Sequence, residues 1–213
     1  MKGVKTWDAI IIGGGVAGLS AAVYLGRAQR QTLVVDSGKS MAKWEPEVQN
    51  YLGFPKGISG ERLLARGQQQ AERYGVHFAT DEITKAHKLK TVFRLFGRKR
   101  VYHAKSVVLA TGIFHLPPAI NGVRACLGHS MFFCKDCDGL RVRGKRIAIY
   151  GANDEAVDYA LGILMYSSSV AIVTDARAPR WNKARARWIC EYQIPVYRGR
   201  IERVTRRMIL RST

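Results

Sequence analysis

The chain has 213 residues, and its 35 Lys and Arg against 16 Asp and Glu leave a formal net charge of +19. That length suffices for one large domain or two small ones with an ample core, and no apolar run approaches the roughly 20 residues of a membrane span. The basic residues are scattered without aromatic interleaving, densest at Arg177, Arg180, Lys183, Arg185 and Arg187, which argues for solvated faces and an anionic ligand over a dedicated, specific nucleic-acid surface.

Residues 1–6 run straight into an apolar stretch at residues 8–12, suited to a buried parallel strand. Gly13, Gly15 and Gly18 follow as a G-x-G-x-x-G set between that strand and a helical stretch continuing through Tyr24 and Leu25. In this setting the glycines let the backbone turn tightly and approach a pyrophosphate at the helix N-terminus. Thr32–Asp36 reads as the next strand of a βαβ unit, and Asp36, about 20 residues downstream, is placed to hold a ribose hydroxyl. A dinucleotide is expected at this turn.

Residues 37–58 lose periodicity and gather Gly, Pro, Asn and Trp, the composition of an ordered loop over a ligand, and residues 61–74 read as a helix. Residues 76–79 suggest a further strand of the first sheet, and residues 90–102 alternate like an antiparallel meander around Gly97-Arg98-Lys99-Arg100. A buried strand over residues 106–109 then ends in the small residues Ala110-Thr111-Gly112, and His115 beyond it is expected as a hinge or surface residue.

Cys134-Lys135-Asp136-Cys137 is a C-x-x-C, a spacing that closes a small disulfide ring and lowers one thiol pKa, with Asp138 adjacent as a proton shuttle. Half of a zinc site has the same spacing, and two inert thiols would also fit. Cys126 and Cys190 are single, so a closed four-cysteine zinc site is poorly supported and no metal is assigned. A cytoplasmic location is expected, where a catalytic C-x-x-C persists and structural disulfides do not.

Residues 144–150 form a second strand, followed by Gly151-Ala152-Asn153-Asp154-Glu155-Ala156, a helical stretch to Tyr166, and a strand at Val170–Val173. This is an internal repeat of strand, turn and helix. Asn153 replaces the middle glycine, so the turn reads either as a nicotinamide-dinucleotide site or as a turn kept for packing.

The order of these features resembles the low-molecular-weight thioredoxin reductase family over nearly the whole chain: Gly13 to Gly18, the segment Asn50-Tyr51-Leu52-Gly53-Phe54-Pro55, Ala110-Thr111-Gly112, Cys134-x-x-Cys137-Asp138-Gly139, and the Gly151 turn. The resemblance implies an α/β fold of two Rossmann-like lobes. Residues 1–116 would bind FAD through Gly13, Gly15, Gly18, Asp36, Asn50, Ala110, Thr111 and Gly112. Residues 117–213 would carry the dithiol and bind NADPH or NADH through Gly151, Asn153, Ala156, Asp175, Arg177 and Arg180. It further implies an NAD(P)H-dependent disulfide reductase in which Cys137 lies nearest the flavin, Cys134 attacks a thioredoxin-like protein or small disulfide, and Asp138 is the acid/base.

Three departures qualify that resemblance. The family's Gly-Gly-Gln beside the flavin is replaced by residues 39–44, which puts thioredoxin itself in question as substrate. The family's His-Arg-Arg is replaced by Thr174-Asp175-Ala176-Arg177, where Asp175 favours a ribose hydroxyl and hence NADH, although Arg177 and Arg180 remain for a phosphate. By the family's layout the second lobe is incomplete, with strand material at residues 201–210 and no returning FAD segment, so weak FAD retention and poor turnover are expected unless another chain completes the FAD lobe; the partners left open are that chain or a second copy in a homodimer. The alternative to an enzyme is a non-catalytic flavin or nucleotide-binding module; a basic nucleic-acid binder that reuses the fold ranks third.

Overall fold

A computed structural model describes residues 5–205. The chain divides into two compact units, Met1–His115 and Leu116–Thr213.

The first unit holds β1 (Thr6–Ile12), α1 (Val16–Arg27), β2 (Thr32–Asp36), a 3₁₀ turn (Met41–Trp44), α2 (Gly60–Glu72), β3 (His77–Thr80), β4 (Ile83–Lys88), β5 (Phe93–Gly97) and β6 (Val101–Leu109). They form one six-stranded sheet in the order β3-β2-β1-β6-β5-β4. β1 and β2 are apolar on both faces because both faces are covered, the condition of a central parallel pair. Ile11 and Val34 face Ala22 of α1 and Ala71 of α2, while Ile10, Leu33 and Val35 face Leu95, Tyr102 and Ala104. Each large side chain so buried stabilises the fold by about 1.5–3 kcal/mol. α1 lies close to the segment after α2, since a Cβ at Gly26 would stand 2.8 Å from Tyr74 and Val76. α2 starts at Ser59, whose hydroxyl accepts from the Arg62 N–H at 3.3 Å.

Two differences from the sequence reading concern the sheet. The meander and the strand at residues 106–109 share one continuous strand: β6 runs antiparallel to β5 near its start and parallel to β1 along most of its length. Its polar residues are satisfied by Asp8, Lys105 on the carboxylate at 2.7 Å and Ser106 on the backbone carbonyl at 2.7 Å. β4 was not anticipated, because nearly all of it is exposed and it carries no apolar alternation.

In the second unit α3 (Val123–Cys126) and α4 (Lys135–Asp138) are single turns, followed by β7 (Ile147–Tyr150), α5 (Asp154–Ile163), β8 (Val170–Val173), α6 (Lys183–Glu191) and β9 (Val196–Tyr197). The sheet is parallel in the order β7-β8-β9. Its core joins Val157, Ala160 and Ile163 of α5 to Val170 and Ile172 of β8 and Ile189 of α6. α6 was not anticipated; only Ile189 of it is buried, and the rest reads as basic surface. Of the strand material expected at residues 201–210, residues 201–205 carry a lone bridge between Arg203 and Asn121, and the remainder lies outside the described residues. The whole is an α/β protein with a Rossmann-like βαβ element in each unit. Among the described residues no helix is long and apolar enough to cross a membrane.

Candidate functional site

Cys134 and Cys137 are joined by a disulfide, S–S 2.09 Å with Cα atoms 5.2 Å apart, while Cys126 and Cys190 are thiols, the first buried and the second exposed. The cysteines meet because α4 begins at Cys134: the Cys137 N–H donates to the Cys134 sulfur at 3.0 Å. In the reduced protein this donor favours the thiolate at Cys134. Among the described residues no three His, Cys, Asp or Glu side chains are placed to hold a metal ion.

The second unit's helix α5 anchors the segment that carries the dithiol. The Tyr159 hydroxyl donates to the Phe133 carbonyl. Gly139 is pressed against Tyr166, where a Cβ would fall 2.3 Å from the ring. Asp138 is 3 % exposed, and its Oδ1 accepts from Arg141 Nη1 at 2.9 Å. Arg141 Nη2 also donates to the Gly128 carbonyl at 3.0 Å, and the guanidinium stands 4.8 Å over the Phe132 ring. Oδ2 of Asp138 is buried and has no hydrogen-bond partner among the described residues. Burial raises the Asp138 carboxyl above its ordinary range, and Arg141 pulls it part of the way back. Arg141 was not singled out from the sequence, although its place three residues after Asp138 on a helical turn was a usable signal.

In the first unit, the three glycines of the β1–α1 turn do different jobs. Gly13 has φ +108°, and a Cβ there would lie 2.2 Å from the Ala110 carbonyl oxygen; one at Gly18 would lie 1.9 Å from the Gly13 oxygen. The chain's own packing demands both. A Cβ at Gly15 would meet only Ser40 Oγ at 3.6 Å, an ordinary contact, and no side chain caps α1 there. The helix N-terminus therefore faces a space that the protein leaves open, which fits a pyrophosphate. Asp36 closes β2 against this turn, Oδ1 accepting from the Gly14 N–H at 2.9 Å and Oδ2 from the Gly38 N–H at 3.0 Å. Each oxygen keeps a second lone pair for a hydroxyl. Ala110 is fixed by its N–H to the Ile12 carbonyl at 2.9 Å; Gly112 has φ +64°, and Asn50 and Thr111 lie exposed in loops. The sequence reading missed the aromatic pair Trp44 and Phe114, with ring centroids 5.4 Å apart.

The second unit repeats this geometry with different side chains. The Gly13 N–H bonds the Val35 carbonyl, and the Gly151 N–H bonds the Val173 carbonyl. In this register Gly151, Asn153, Ala156 and Thr174 stand where Gly13, Gly15, Gly18 and Asp36 stand in the first unit. Asn153 caps α5, its Oδ1 accepting from the Ala156 N–H at 3.3 Å, and the Arg180 N–H pairs with the Ala152 carbonyl. A pyrophosphate approaches this turn only if Asn153 swings aside. Asp175, expected at a ribose hydroxyl, stands one residue past the register of Asp36. That register falls on Thr174, buried with its hydroxyl unpaired among the described residues. Asp175 instead closes a loop, accepting from the Ile201 N–H at 2.8 Å and the Tyr150 hydroxyl at 3.3 Å. Arg177 lies 4.6 Å over the Tyr150 ring, and Arg177 and Arg180 are both exposed.

Residues 7–193 match the family model described as pyridine nucleotide-disulphide oxidoreductase. The chain is 35% identical over 182 residues to a thioredoxin reductase of Treponema pallidum, covering 84% of this chain and 59% of that one. It is 32% identical over 176 residues to a thioredoxin reductase of Bacillus subtilis, covering 81% and 55%. It is also 34% identical over 188 residues to a bifunctional thioredoxin reductase/thioredoxin of Mycobacterium leprae, covering 84% and 41%. Among solved structures, an oxidoreductase from Agrobacterium tumefaciens superposes with a TM-score of 0.78 at 28% identity, covering 94% of this chain and 68% of that one. The chain thus spans somewhat over half the length of the first two curated relatives. Matched over most of its length, this chain belongs to the pyridine nucleotide-disulphide oxidoreductase family.

Proposed function

We propose that the protein is a flavin-dependent disulfide oxidoreductase of the thioredoxin reductase type, in which Cys134 and Cys137 relay electrons to a disulfide substrate. The observation that carries this reading is the disulfide at the start of α4, with the Cys137 N–H on the Cys134 sulfur and buried Asp138 next in the chain. Cys134 is the attacking sulfur, since the amide donor stabilises its thiolate. Its thiolate forms a bond to one substrate sulfur and releases the other as a thiolate. The Cys137 thiolate then attacks the Cys134 sulfur, restoring the ring and releasing the second substrate thiolate. Two protein thiols are oxidised, one substrate disulfide is reduced, and the two departing sulfurs take up two protons.

FAD is assigned to the first unit, where Gly15 leaves the helix terminus open and Gly13, Gly18, Asp36, Ala110 and Gly112 shape the turn. Bound there, a flavin supplies the two-electron chemistry that returns the disulfide to the dithiol. NADPH or NADH is assigned to the second unit, with Gly151 and Ala156 forming the close turn, Thr174 at the ribose position, and Arg177 and Arg180 available to phosphate. The substrate class is a thioredoxin-like protein or a small disulfide, and the expected location is the cytoplasm. One feature favours a second reading, a nucleotide-binding module without turnover: the Asn153 cap obstructs the second turn.

The test is an absorption spectrum of the purified chain followed by anaerobic reduction with NADPH or NADH. Oxidised flavin bands that bleach, with two thiols appearing per chain and none in Cys137→Ser, are expected. Bound flavin that neither NADPH nor NADH bleaches would favour the module.

A further inference from the structure

We propose that Arg141 is a positioning residue of the dithiol site, holding the buried Asp138 carboxylate by one oxygen and leaving the other as the proton acceptor for thiol–disulfide exchange. The proposal rests on the assignment of Cys134 and Cys137 as the exchanging pair. Its basis is the asymmetry of the Asp138 carboxylate. Oδ1 is taken by Arg141 at 2.9 Å; Oδ2 is as deeply buried and has no donor among the described residues. A buried acceptor without a partner is costly, and folded proteins rarely keep one away from a working site. Arg141 cannot easily leave, because Nη2 is held by the Gly128 carbonyl at 3.0 Å and the guanidinium lies on Phe132. The cation thus opposes the burial that favours the protonated carboxyl.

Other groups around the turn do not replace it. Lys135 and Asp136 pair with each other at 2.9 Å, with Asp136 exposed. His129, in the loop that carries Gly128, is exposed. Tyr159 reaches the segment from α5 and Tyr166 from the chain just beyond it, and burial pushes the Tyr159 hydroxyl towards its neutral form.

The proton balance follows. In the mixed disulfide, the Cys137 thiol gives its proton to Asp138 and becomes a thiolate. It bonds to the Cys134 sulfur, the substrate sulfur departs with the electron pair of the broken bond, and Asp138 returns the proton to it. Without Arg141 burial acts unopposed, so the Asp138 carboxyl keeps its proton to higher pH and is a poorer acceptor at a given pH.

The test uses the full chain in two forms. In the oxidised protein, the Asp138 side-chain carboxyl is titrated by ¹³C NMR in wild type, Arg141→Met and Arg141→Lys, with Asp138→Asn identifying the signal. The reduced, desalted protein, carrying Cys190→Ser in every form to remove the exposed thiol, is mixed with 5,5′-dithiobis(2-nitrobenzoate) across pH: attack by Cys134 releases the first thionitrobenzoate, and attack by Cys137 the second. We expect the carboxyl midpoint to rise by about one unit or more in Arg141→Met, with a smaller rise in Arg141→Lys. The second release should slow about tenfold at pH 7 in Arg141→Met and recover as pH rises, while the first changes by less than about twofold. An unchanged midpoint, or a slowing equal at every pH, overturns the proposal. If Arg141→Met does not fold, Arg141→Lys decides by the same two readouts. A Cys190→Ser chain with Arg141 intact that releases no first thionitrobenzoate would remove the dithiol assignment instead, and the carboxyl titration would still decide whether Arg141 governs Asp138.

Discussion

Gly15 and Asn153 hold the same place in two strand–turn–helix units of one chain, yet the first leaves its helix N-terminus open and the second closes it with an Oδ1 contact to the Ala156 N–H. The same backbone therefore presents one ready anion site and one that its own side chain occupies.

Asn153→Gly should tighten nicotinamide-dinucleotide binding. Displacing an Asn cap costs about 1 kcal/mol, which is roughly fivefold in affinity, and Gly at an N-cap costs only a few tenths of a kcal/mol in stability. Fluorescence titration with NADPH and NADH measures the change. An affinity that does not rise would mean the pyrophosphate never reaches this turn.

Alanine at Gly13 and at Gly15 should separate folding from binding. Gly13→Ala forces a side chain to φ +108° and 2.2 Å from the Ala110 oxygen, so the thermal midpoint should drop as expected for a loss of about 1–3 kcal/mol or more. Gly15→Ala meets only Ser40 Oγ at 3.6 Å and should fold normally while losing FAD affinity. Denaturation curves and flavin content of the two variants are the measurements, and equal effects on both would contradict the division of labour.

The two cysteines should differ in what their serine variants trap. With Cys137→Ser, the Cys134 thiolate attacks a substrate disulfide and the mixed disulfide accumulates, because no second sulfur can resolve it. With Cys134→Ser, the amide-stabilised thiolate is lost and little adduct should form. Intact mass after a small disulfide substrate distinguishes them; equal adducts would reverse or erase the assignment.

Asp81 should make the first unit sensitive to acid. It is 4 % exposed and accepts from the N–H groups of Glu82, Lys99 and Arg100 and from the Tyr102 hydroxyl, closing the β5–β6 turn. Burial works to raise its carboxyl, but these donors outweigh it and the pKa lies below the ordinary value. A lowered folded pKa gives stability that is present above the unfolded value, about 4, and is lost as pH falls through the folded one. Thermal midpoints of wild type and Asp81→Asn should differ at pH 7 and converge at acid pH. A difference independent of pH would assign the effect to packing.

What the sequence made legible followed burial. β1, β2 and β8 were readable within a residue or two because each is a nearly continuous apolar run, as strands covered on both faces must be. β4 and α6 were not, since the first is exposed almost throughout and the second buries little beyond Ile189. Of the candidate site, the glycine spacing and the C-x-x-C could be read from residue types alone. The partners that act on them could not: Arg141 reaches Asp138 through a helical turn, Asn153 reads as a lost glycine before it reads as a cap, and Asp175 accepts from the Ile201 amide through a contact that no local pattern records.

Gly139 against the Tyr166 ring carries a consequence for the interchangeability of the redox motif. The small residue after Cys137-Asp138 and the aromatic residue at the end of α5 are two halves of one volume. A library that varies both positions should recover active members chiefly as complementary pairs, with bulk moving to position 139 only where it has left position 166. Transplanting the eight-residue dithiol segment into another scaffold without a matching ring would leave its rear unsupported.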